Sequence, residues 1–282
     1  RQARSTGLLA TDDPTIQRRL LDAAGHFIEK VDTDRSPPEN AVPLYGTFAE
    51  LLGSDDPFAR VKRESNAFAL SLKDEIKERI LAAKDPLRAA VRAAIAGNII
   101  DYAAQHLFDA EKTMAECFDR QFMLDDYPAL RQALSGSGSN VLYLCDNCGE
   151  IVFDTLLIEQ LQRHGCRVTA AVREFPIIND ATLQDARTCG LDQICSVISN
   201  GTGCPGTPLA ECDEDFQQHF RAADLIISKG MGNFETLSEE LAPIFFLFTV
   251  KCGQVAQHLS ERQRLASGVL RGTGEMVLLR QK

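Results

Sequence analysis

The sequence predicts an α/β protein in which a helical first half precedes a mainly parallel β-sheet. Up to about residue 123, apolar residues recur at the spacing of amphipathic helices. A serine- and glycine-rich run at 135–139 follows, and beyond it short apolar runs alternate with helical patterns. That alternation is typical of a parallel sheet covered by helices on both faces. We therefore predict a helical domain over residues 1–135 and an α/β domain over residues 136–282.

The predicted helices of the first half are separated by polar segments. Asp13 and Pro14 suit the N-cap and first-turn positions of a helix that extends to about Ile28. Residues 31–41 are polar and contain prolines, which predicts a linker. Further helices are predicted over about 58–83, from Pro86 to about 98, and over about 109–123.

Short apolar runs in the second half predict the strands of the sheet. They lie at 141–145, 167–172, 194–198, 225–228, 244–249 and 276–279. The helical patterns between them lie at 154–164, 182–189, 213–222, 236–241 and 255–259. In parallel sheets, binding sites lie beyond the carboxyl ends of the strands, where the strand order changes direction. Functional polar side chains are therefore expected directly after strands.

The loops after four of these strands carry such side chains. In chain order they include Asp146, Asn147, Gly149 and Glu150, then Arg173, Asn179 and Asp180, then Lys229, Gly230, Gly232, Asn233 and Glu235, and finally Lys251 and Cys252. Turn formation and helix capping would explain any one of these loops alone. Four such loops together indicate a site at the carboxyl edge of the sheet.

The residue types in these loops favour a hard cation beside an anion. Aspartate and asparagine oxygens, without histidine or thiolate, suit Mg²⁺ or Mn²⁺. Lys229 and Lys251 would neutralise a phosphate, and Gly230 would let backbone N–H groups approach it. A metal ion and lysines around a phosphoryl group are what phosphate-ester hydrolysis needs.

Composition limits the partners and the compartment. The 282 residues carry a net charge of −10, which argues against nucleic acid or an anionic membrane as partner. No apolar run approaches the roughly 18 residues of a membrane helix, and the first residues lack a signal-peptide pattern. The nine cysteines show no disulfide framework, which is typical of reduced thiols in the cytoplasm. Cys145 and Cys148 form a C-x-x-C without the second pair that zinc sites usually have, so a metal or redox role is the minor interpretation.

The strand-end residues, taken in order, resemble the motifs of the DUF89 family, the damage-control phosphatases, which include archaeal-type members. The resemblance rests on Asp-Asn-Cys-Gly-Glu at 146–150 with Asp154, on Asn-Asp at 179–180 with Thr182 and Asp185, and on Lys-Gly-Met-Gly-Asn at 229–233 with Glu235. Gly-Asn-Ile-Ile-Asp at 97–101 and Lys-Cys at 251–252 also fit. Cys148 stands where the family more often has alanine or serine, and the early Cys-x-x-Cys of several archaeal-type members is not found.

The resemblance implies a helical N-terminal region packed on a three-layer α/β/α Rossmann-like domain. It implies metal-dependent hydrolysis of small phosphorylated metabolites, such as sugar phosphates or damaged cofactor intermediates. The implied cofactor is a divalent metal (Mn²⁺, Mg²⁺, Co²⁺ or Ni²⁺) held by Asp146, Asn147 and Asp180. Catalytic roles are predicted for Asp146, Lys229 and Asn233. Substrate contacts are predicted for Asn98, Asp101, Glu150, Asn179, Lys229, Gly230 and Lys251.

Several alternatives stay open at this point. Asp146 or another carboxylate would act either as a base on water or as a nucleophile, and the sequence does not choose. A methyltransferase that uses S-adenosylmethionine is a rival, although Gly136 and Gly138 precede the first strand rather than follow it. A non-catalytic protein that binds a phosphorylated metabolite is the third interpretation. The substrate and the oligomeric state are not predicted.

Overall fold

The computed structural model describes residues 10–100, 114–136, 138–266 and 268–281, and its first half is helical. The helices are α1 (Pro14–Ile28), α2 (Pro37–Leu52), α3 (Ala59–Ala82) and α4 (Pro86–Ile100). Asp13 caps α1 as predicted, because its carboxylate accepts a hydrogen bond from the backbone N–H of Thr15 at 2.8 Å.

The linker predicted over residues 31–41 is wrong in its second part, where α2 begins. Ser36 and Glu39 form a capping box, in which each side chain bonds the backbone N–H of the other residue. Pro37 takes the first helical position, where a missing N–H costs nothing. The prolines that indicated a linker therefore belong to a helix start.

The second half alternates strands and helices. The strands are β1 (Phe122–Asp125), β2 (Asn140–Leu144), β3 (Arg167–Val172), β4 (Ser196–Ser199), β5 (Leu225–Lys229), β6 (Ile244–Val250) and β7 (Glu275–Arg280). The helices are α5 (Tyr127–Ala133), α6 (Glu150–Arg163), α7 (Leu183–Thr188), α8 (Glu214–Ala222), α9 (Met231–Leu237) and α10 (Gly253–Arg262). Each of the six predicted strands is found within about two residues of its expected position.

Within the described residues, the sheet has seven strands in the order β1-β7-β6-β5-β2-β3-β4. Strands β2 to β6 are parallel, β7 is antiparallel to β6, and β1 is parallel to β7. The prediction of a mainly parallel sheet is therefore confirmed. From β2 the chain adds β3 and β4 on one side, then returns to add β5 and β6 on the other. The switch in strand order lies between β2 and β5.

The helix predicted over residues 109–123 is partly replaced by β1. Residues 109–113 lie outside the described residues, and residues 114–116 are helical. Phe122 is buried and Met123 is exposed, the alternation of an edge strand. The apolar run at Phe122–Asp125 has only three residues before the aspartate, too few to be separated from the helical pattern that precedes it.

Side chains of the central strands alternate between two cores, as in a three-layer sandwich. Val141 and Tyr143 of β2 face the core formed with α4 and α6. Leu142 and Leu144 face the opposite core, which contains Phe216 of α8. The residues of α4 from 89 to 96 are almost all buried, so the helical half and the sheet share one core across residue 135.

A third, smaller apolar cluster places α1 and α2 beside the loop after β3. It contains Leu20, Tyr45, Phe48, Phe58 and Ile177. Among the residues that the structure describes, no helix is both long enough and apolar enough to cross a membrane.

Candidate functional site

The loops after β2 and β5 meet at the switch in strand order, as expected for this class of sheet. Gly230 follows β5 with φ +82°, a backbone conformation that favours glycine. A Cβ atom at this position would lie 2.0 Å from Oδ2 of Asp146. The carboxylate of Asp146 therefore occupies space that only a glycine leaves open.

The structure brings together the three predicted metal ligands. Asn147 and Asp180 form an isolated antiparallel bridge between the loops after β2 and β3. The backbone N–H of Ala181 donates to the carbonyl oxygen of Asp146 at 2.8 Å. All three ligand candidates are less than a tenth exposed. That they hold a metal ion stays a prediction.

The donor set of this trio fits a hard divalent cation. It consists of two carboxylates and one amide, all oxygen ligands. The Asn147 Nδ2 atom donates to Oδ2 of Asp146 at 2.8 Å, which leaves the amide oxygen as the atom for a cation. Within the described part of the chain, no group of three or more His, Cys, Asp or Glu residues is arranged for a metal. The trio differs from such a group because its third member is an amide.

Arg173 lies between the two carboxylates of the trio. Its Nε atom donates to Oδ2 of Asp180 at 2.7 Å, and its Nη2 atom lies 3.7 Å from Oδ1 of Asp146. The guanidinium is almost fully buried and also donates to Thr207 and Asn233 at 3.0 and 3.1 Å. Burial raises the pKa of Asp180, while the charge of Arg173 opposes the shift. The sequence marked Arg173 only as a strand-end residue, and its position directly after β3 was the available signal.

Asn233 joins the ends of two strands beneath this site. Its Nδ2 atom donates to the carbonyl oxygens of Lys229 at 2.8 Å and Cys145 at 3.3 Å. Its Oδ1 atom accepts from Arg173 and from the hydroxyl of Thr207. The side chain thus fixes β5 against β2, and its predicted catalytic role stays a prediction.

Lys229 is fully buried and contacts protein acceptors. Its ammonium donates to Glu150, to Asp154 at 2.7 Å and to the carbonyl oxygen of Ala94 at 2.9 Å. Burial disfavours the charge, but Asp154 and Glu150 outweigh it and raise the pKa of Lys229. Three acceptors match the three hydrogens of an ammonium. This geometry favours a structural cation, and the predicted contact between Lys229 and phosphate stays a prediction.

The two carboxylates around Lys229 differ in their further contacts. Glu150 also accepts from Nδ2 of Asn98 at 2.8 Å. Asp154 accepts from the hydroxyl of Tyr143 at 2.6 Å, and its Oδ2 atom is buried without a hydrogen-bond partner among the described residues. Burial raises the pKa of Asp154 to about 6, against the opposing charge of Lys229.

The helical half contributes Asn98 to the site. Its Nδ2 atom donates to Oδ2 of Asp146 at 3.2 Å, and its carbonyl oxygen accepts from Nζ of Lys251 at 2.6 Å. The carbonyl oxygen of Asn179 accepts from the backbone N–H of Cys148 at 2.9 Å. The substrate contacts predicted for these side chains and for Glu150 and Gly230 stay predictions, and Asp101 lies outside the described residues.

The C-x-x-C thiols lie in the protein core rather than in the site. Cys145 and Cys148 are buried, and burial raises the pKa of both well above the usual thiol value. All nine cysteines are described and are free of disulfides. Their burial supports the interpretation of Cys145 and Cys148 as small side chains that pack in the core.

Comparison with known proteins gives consistent matches over most of the chain. The profile of the damage-control phosphatase ARMT1-like domain matches residues 1–265. A damage-control phosphatase of Pyrococcus horikoshii is 38% identical over 257 residues, covering 89% of this chain and 88% of that protein. One from Archaeoglobus fulgidus is 35% identical over 260 residues, with coverages of 89% and 88%. The crystal structure of a DUF89 family protein from Pyrococcus horikoshii superposes with a TM-score of 0.85 at 34% identity, covering 100% of this chain and 95% of that one.

Proposed function

The chain belongs to the damage-control phosphatase ARMT1-like family, and on this premise we propose that it hydrolyses phosphate esters of small metabolites with a divalent metal ion. The relatives from Pyrococcus horikoshii and Archaeoglobus fulgidus are damage-control phosphatases, which supports the phosphatase part of this proposal. The observation that carries the metal part is the meeting of Asp146, Asn147 and Asp180 at the switch in strand order.

In the proposed mechanism, Asp146, Asn147 and Asp180 would hold the ion through oxygen atoms. The ion, either Mn²⁺, Mg²⁺, Co²⁺ or Ni²⁺, would supply positive charge for a phosphoryl oxygen and lower the pKa of a bound water. The bridge between Asn147 and Asp180 sets the spacing of two ligands before any ion arrives. Gly230 lets Asp146 take its place without a steric clash.

Arg173 would have two functions in this mechanism. It holds the carboxylate of Asp180 through a charge-assisted hydrogen bond, which fixes the direction of the ligand oxygens. It also offsets part of the negative charge of Asp146 and Asp180, which reduces the cost of burying both carboxylates together. Asn233 and Thr207 hold the guanidinium in this orientation.

The role of Asp146 in the attack on phosphorus has two versions. As a base, its carboxylate would take a proton from the water that attacks phosphorus, while the P–O bond to the alcohol breaks and the leaving oxygen is protonated. As a nucleophile, it would displace the alcohol from phosphorus to form an aspartyl phosphate, which water then hydrolyses to inorganic phosphate. Rapid acid quench with a ³²P-labelled substrate separates them. A phosphoenzyme that forms and decays at the turnover rate supports the nucleophile, and its absence during turnover supports the base.

The proposal is tested by release of inorganic phosphate from p-nitrophenyl phosphate and from a panel of sugar phosphates. We expect turnover with added Mn²⁺ or Co²⁺, none after chelation, and a loss of at least about a hundredfold in Asp146→Ala. Asp192→Ala, which changes an exposed carboxylate, is the matched control and should retain activity. Equal activity with and without chelator, or in Asp146→Ala, contradicts the proposal.

A further inference from the structure

We infer that Asn66, on α3 of the helical half, is a positioning residue that holds the two metal-binding loops at a fixed distance from each other. The inference rests on the proposed function, since it concerns the site that would bind the ion. The side-chain hydrogen bonds of Asn66 go to Gly149 and Asp185, neither of which is a predicted metal ligand. The effect of Asn66 passes through Gly149 on one side and Asp185 on the other.

The first contact reaches the loop after β2. Oδ1 of Asn66 accepts a hydrogen bond from the backbone N–H of Gly149 at 2.7 Å. Gly149 is the N-cap of α6 and follows the predicted ligand Asn147 by two residues. Its N–H group precedes the helical bonds of α6 and is buried, so it needs a partner from outside the helix. Asn66 supplies that partner.

The second contact reaches the loop after β3. Nδ2 of Asn66 donates to Oδ1 of Asp185 at 3.2 Å. The other oxygen of Asp185 accepts from the N–H and the hydroxyl of Thr182, at 3.0 and 2.8 Å, in a capping box that begins α7. Thr182 follows the predicted ligand Asp180 by two residues. The amide group of Asn66 therefore bonds both loops close to a predicted ligand. It holds Gly149 beyond Asn147 in one loop, and the capping box beyond Asp180 in the other.

The surroundings of Asn66 keep this bridge rigid. Asn66 is 2% exposed, and a Cβ atom on Gly149 would lie 3.2 Å from the carbonyl oxygen of Ser65, so α3 approaches the loop closely. Lys62, one turn earlier on α3, contacts Asp185 at 2.9 Å and Asp56 at 3.2 Å. Burial works to raise the pKa of Asp185, but Lys62 and the hydrogen bonds to Thr182 lower it, which keeps the carboxylate charged.

The chemistry of the bridge requires an amide. One end must accept from an N–H group and the other must donate to a carboxylate, which asparagine does with a single short side chain. An aspartate would keep the bond to Gly149 but would place a second negative charge beside Asp185. An alanine would leave the N–H group of Gly149 buried without a partner. Partners that orient metal ligands from outside typically change metal affinity 10–100-fold when they are removed.

The test is Mn²⁺ binding to the chelator-treated 282-residue protein, measured by electron paramagnetic resonance of free Mn²⁺. We expect Asn66→Ala to raise the Kd for Mn²⁺ about 10–100-fold. Ser65→Ala removes a neighbouring buried hydroxyl that has no hydrogen-bond partner among the described residues, and it should leave the Kd within twofold. Asn66→Asp preserves volume and the bond to Gly149 but loses the donor to Asp185, so it should also raise the Kd, and it serves if the alanine variant does not fold.

A stability control separates positioning from general weakening of the fold. Ile76 is buried on the same helix, ten residues or about 15 Å from Asn66. Ile76→Ala should lower the Tm at least as much as Asn66→Ala but leave the Kd within twofold. The inference is overturned if Asn66 variants bind Mn²⁺ like the wild type, or if Ile76→Ala loses as much affinity. A wild-type protein that binds none of the four proposed ions contradicts the proposed function itself, and the inference with it; if it binds another of the four instead of Mn²⁺, the same variants are compared with that ion.

Discussion

The position of the Asp146 carboxylate depends on Gly230, a residue without a side chain that lies 84 positions later in the sequence. The Cβ of any other residue at position 230 would lie 2.0 Å from the Asp146 carboxylate, and the positive φ of Gly230 adds backbone strain. The two residues are neighbours because β2 and β5 are paired in the sheet. A glycine after a strand can thus be part of a site without contributing an atom to its chemistry.

We predict that Gly230→Ala lowers phosphate release by at least about a hundredfold, because the new methyl group displaces Asp146 by the order of 1 Å. The measurement is kcat/KM at saturating Mn²⁺. The matched control is Gly253→Ala, since a Cβ on that exposed glycine meets no atom within 4 Å. Equal activity of the two variants would show that the position of Asp146 does not matter for turnover.

Glu235 on α9 predicts a pH dependence of stability. Burial raises the pKa of this half-buried carboxyl from 4.5 to about 7. Between these two values the folded protein binds more protons than the unfolded chain, so stability falls as the pH rises from about 5 to 8. We expect Glu235→Gln to remove about 1–2 kcal/mol of this loss. The measurement is thermal unfolding of the wild type and of Glu235→Gln at pH 5 and pH 8. If the Tm difference between the two pH values is the same in both proteins, the prediction is wrong.

The positions of site residues could be predicted from the sequence better than their contacts. Asp146, Asn147 and Asp180 follow strands, and the carboxyl ends of parallel strands meet at one edge. Whether a side chain at such an end points toward the site or under the sheet depends on neighbours that are distant in sequence. Lys229 lies under the sheet edge between Glu150 and Asp154, whereas Arg173 lies between two predicted ligands. The sequence alone favoured Lys229 as the phosphate-binding group.

At the scale of elements, Lys229 connects three of them. It ends β5, contacts Glu150 and Asp154 of α6, and donates to the carbonyl oxygen of Ala94 in α4. The side chains of Lys229, Glu150 and Asp154 are all fully buried, so water does not reach this cluster. The packing of the helical half on the sheet therefore includes a buried ion cluster as well as an apolar core.

We predict that Lys229→Met lowers the free energy of unfolding by about 3–5 kcal/mol, because two carboxylates would remain buried without their cation. Lys251→Met is the control: the exposed Lys251 follows β6, and its loss should cost less than about 1 kcal/mol. Urea unfolding followed by circular dichroism measures both. If Lys229→Met is as stable as Lys251→Met and only activity is lost, the phosphate-binding role predicted from the sequence is favoured instead.

The longer elements were predictable, but β1, α2 and α5 were not. The apolar pattern extends over enough residues to be recognised in helices α1, α3 and α4 and in the six apolar strands. Strand β1 contains a run of only three apolar residues, and α5 has seven residues. Helix α2 begins with two prolines and contains a third at position 43. Prolines usually predict a break in a helix, but a proline in the first turn is compatible with a helix.

At the scale of the whole molecule, one apolar core extends across the boundary predicted at residue 135. Ile95 of α4 and Leu156 of α6 belong to the same buried cluster. Strand β1, which precedes the boundary, pairs with β7 near the end of the chain. The division into two domains stays a prediction, but the packing favours folding as one unit.

We predict a single heat-absorption peak in differential scanning calorimetry. Ile95→Ala and Leu156→Ala, on opposite sides of the boundary, should each lower the same Tm, since each opens a cavity in the shared core and costs about 2–5 kcal/mol. Two peaks, each shifted by only one of the variants, would show that the halves unfold independently.

The strand order could not be predicted from the sequence, although the site depends on it. Periodicity indicates which segments are strands but not how the strands are ordered. It does not show that β5 pairs with β2, or that β4 is an edge strand of the sheet. That order brings Gly230 to Asp146, and the pairing of β2 with β3 brings Asp180 to Asn147. Long-range pairing is decided by the whole set of contacts rather than by any local pattern.

The central claim is that Asp146, Asn147 and Asp180 form one metal site. Crystals grown with Mn²⁺ test it by anomalous scattering at the manganese edge. We predict one anomalous peak about 2.1 Å from an oxygen atom of each of these three residues. A peak on other side chains with none at this trio, or no peak at a Mn²⁺ concentration that supports turnover, would contradict the claim.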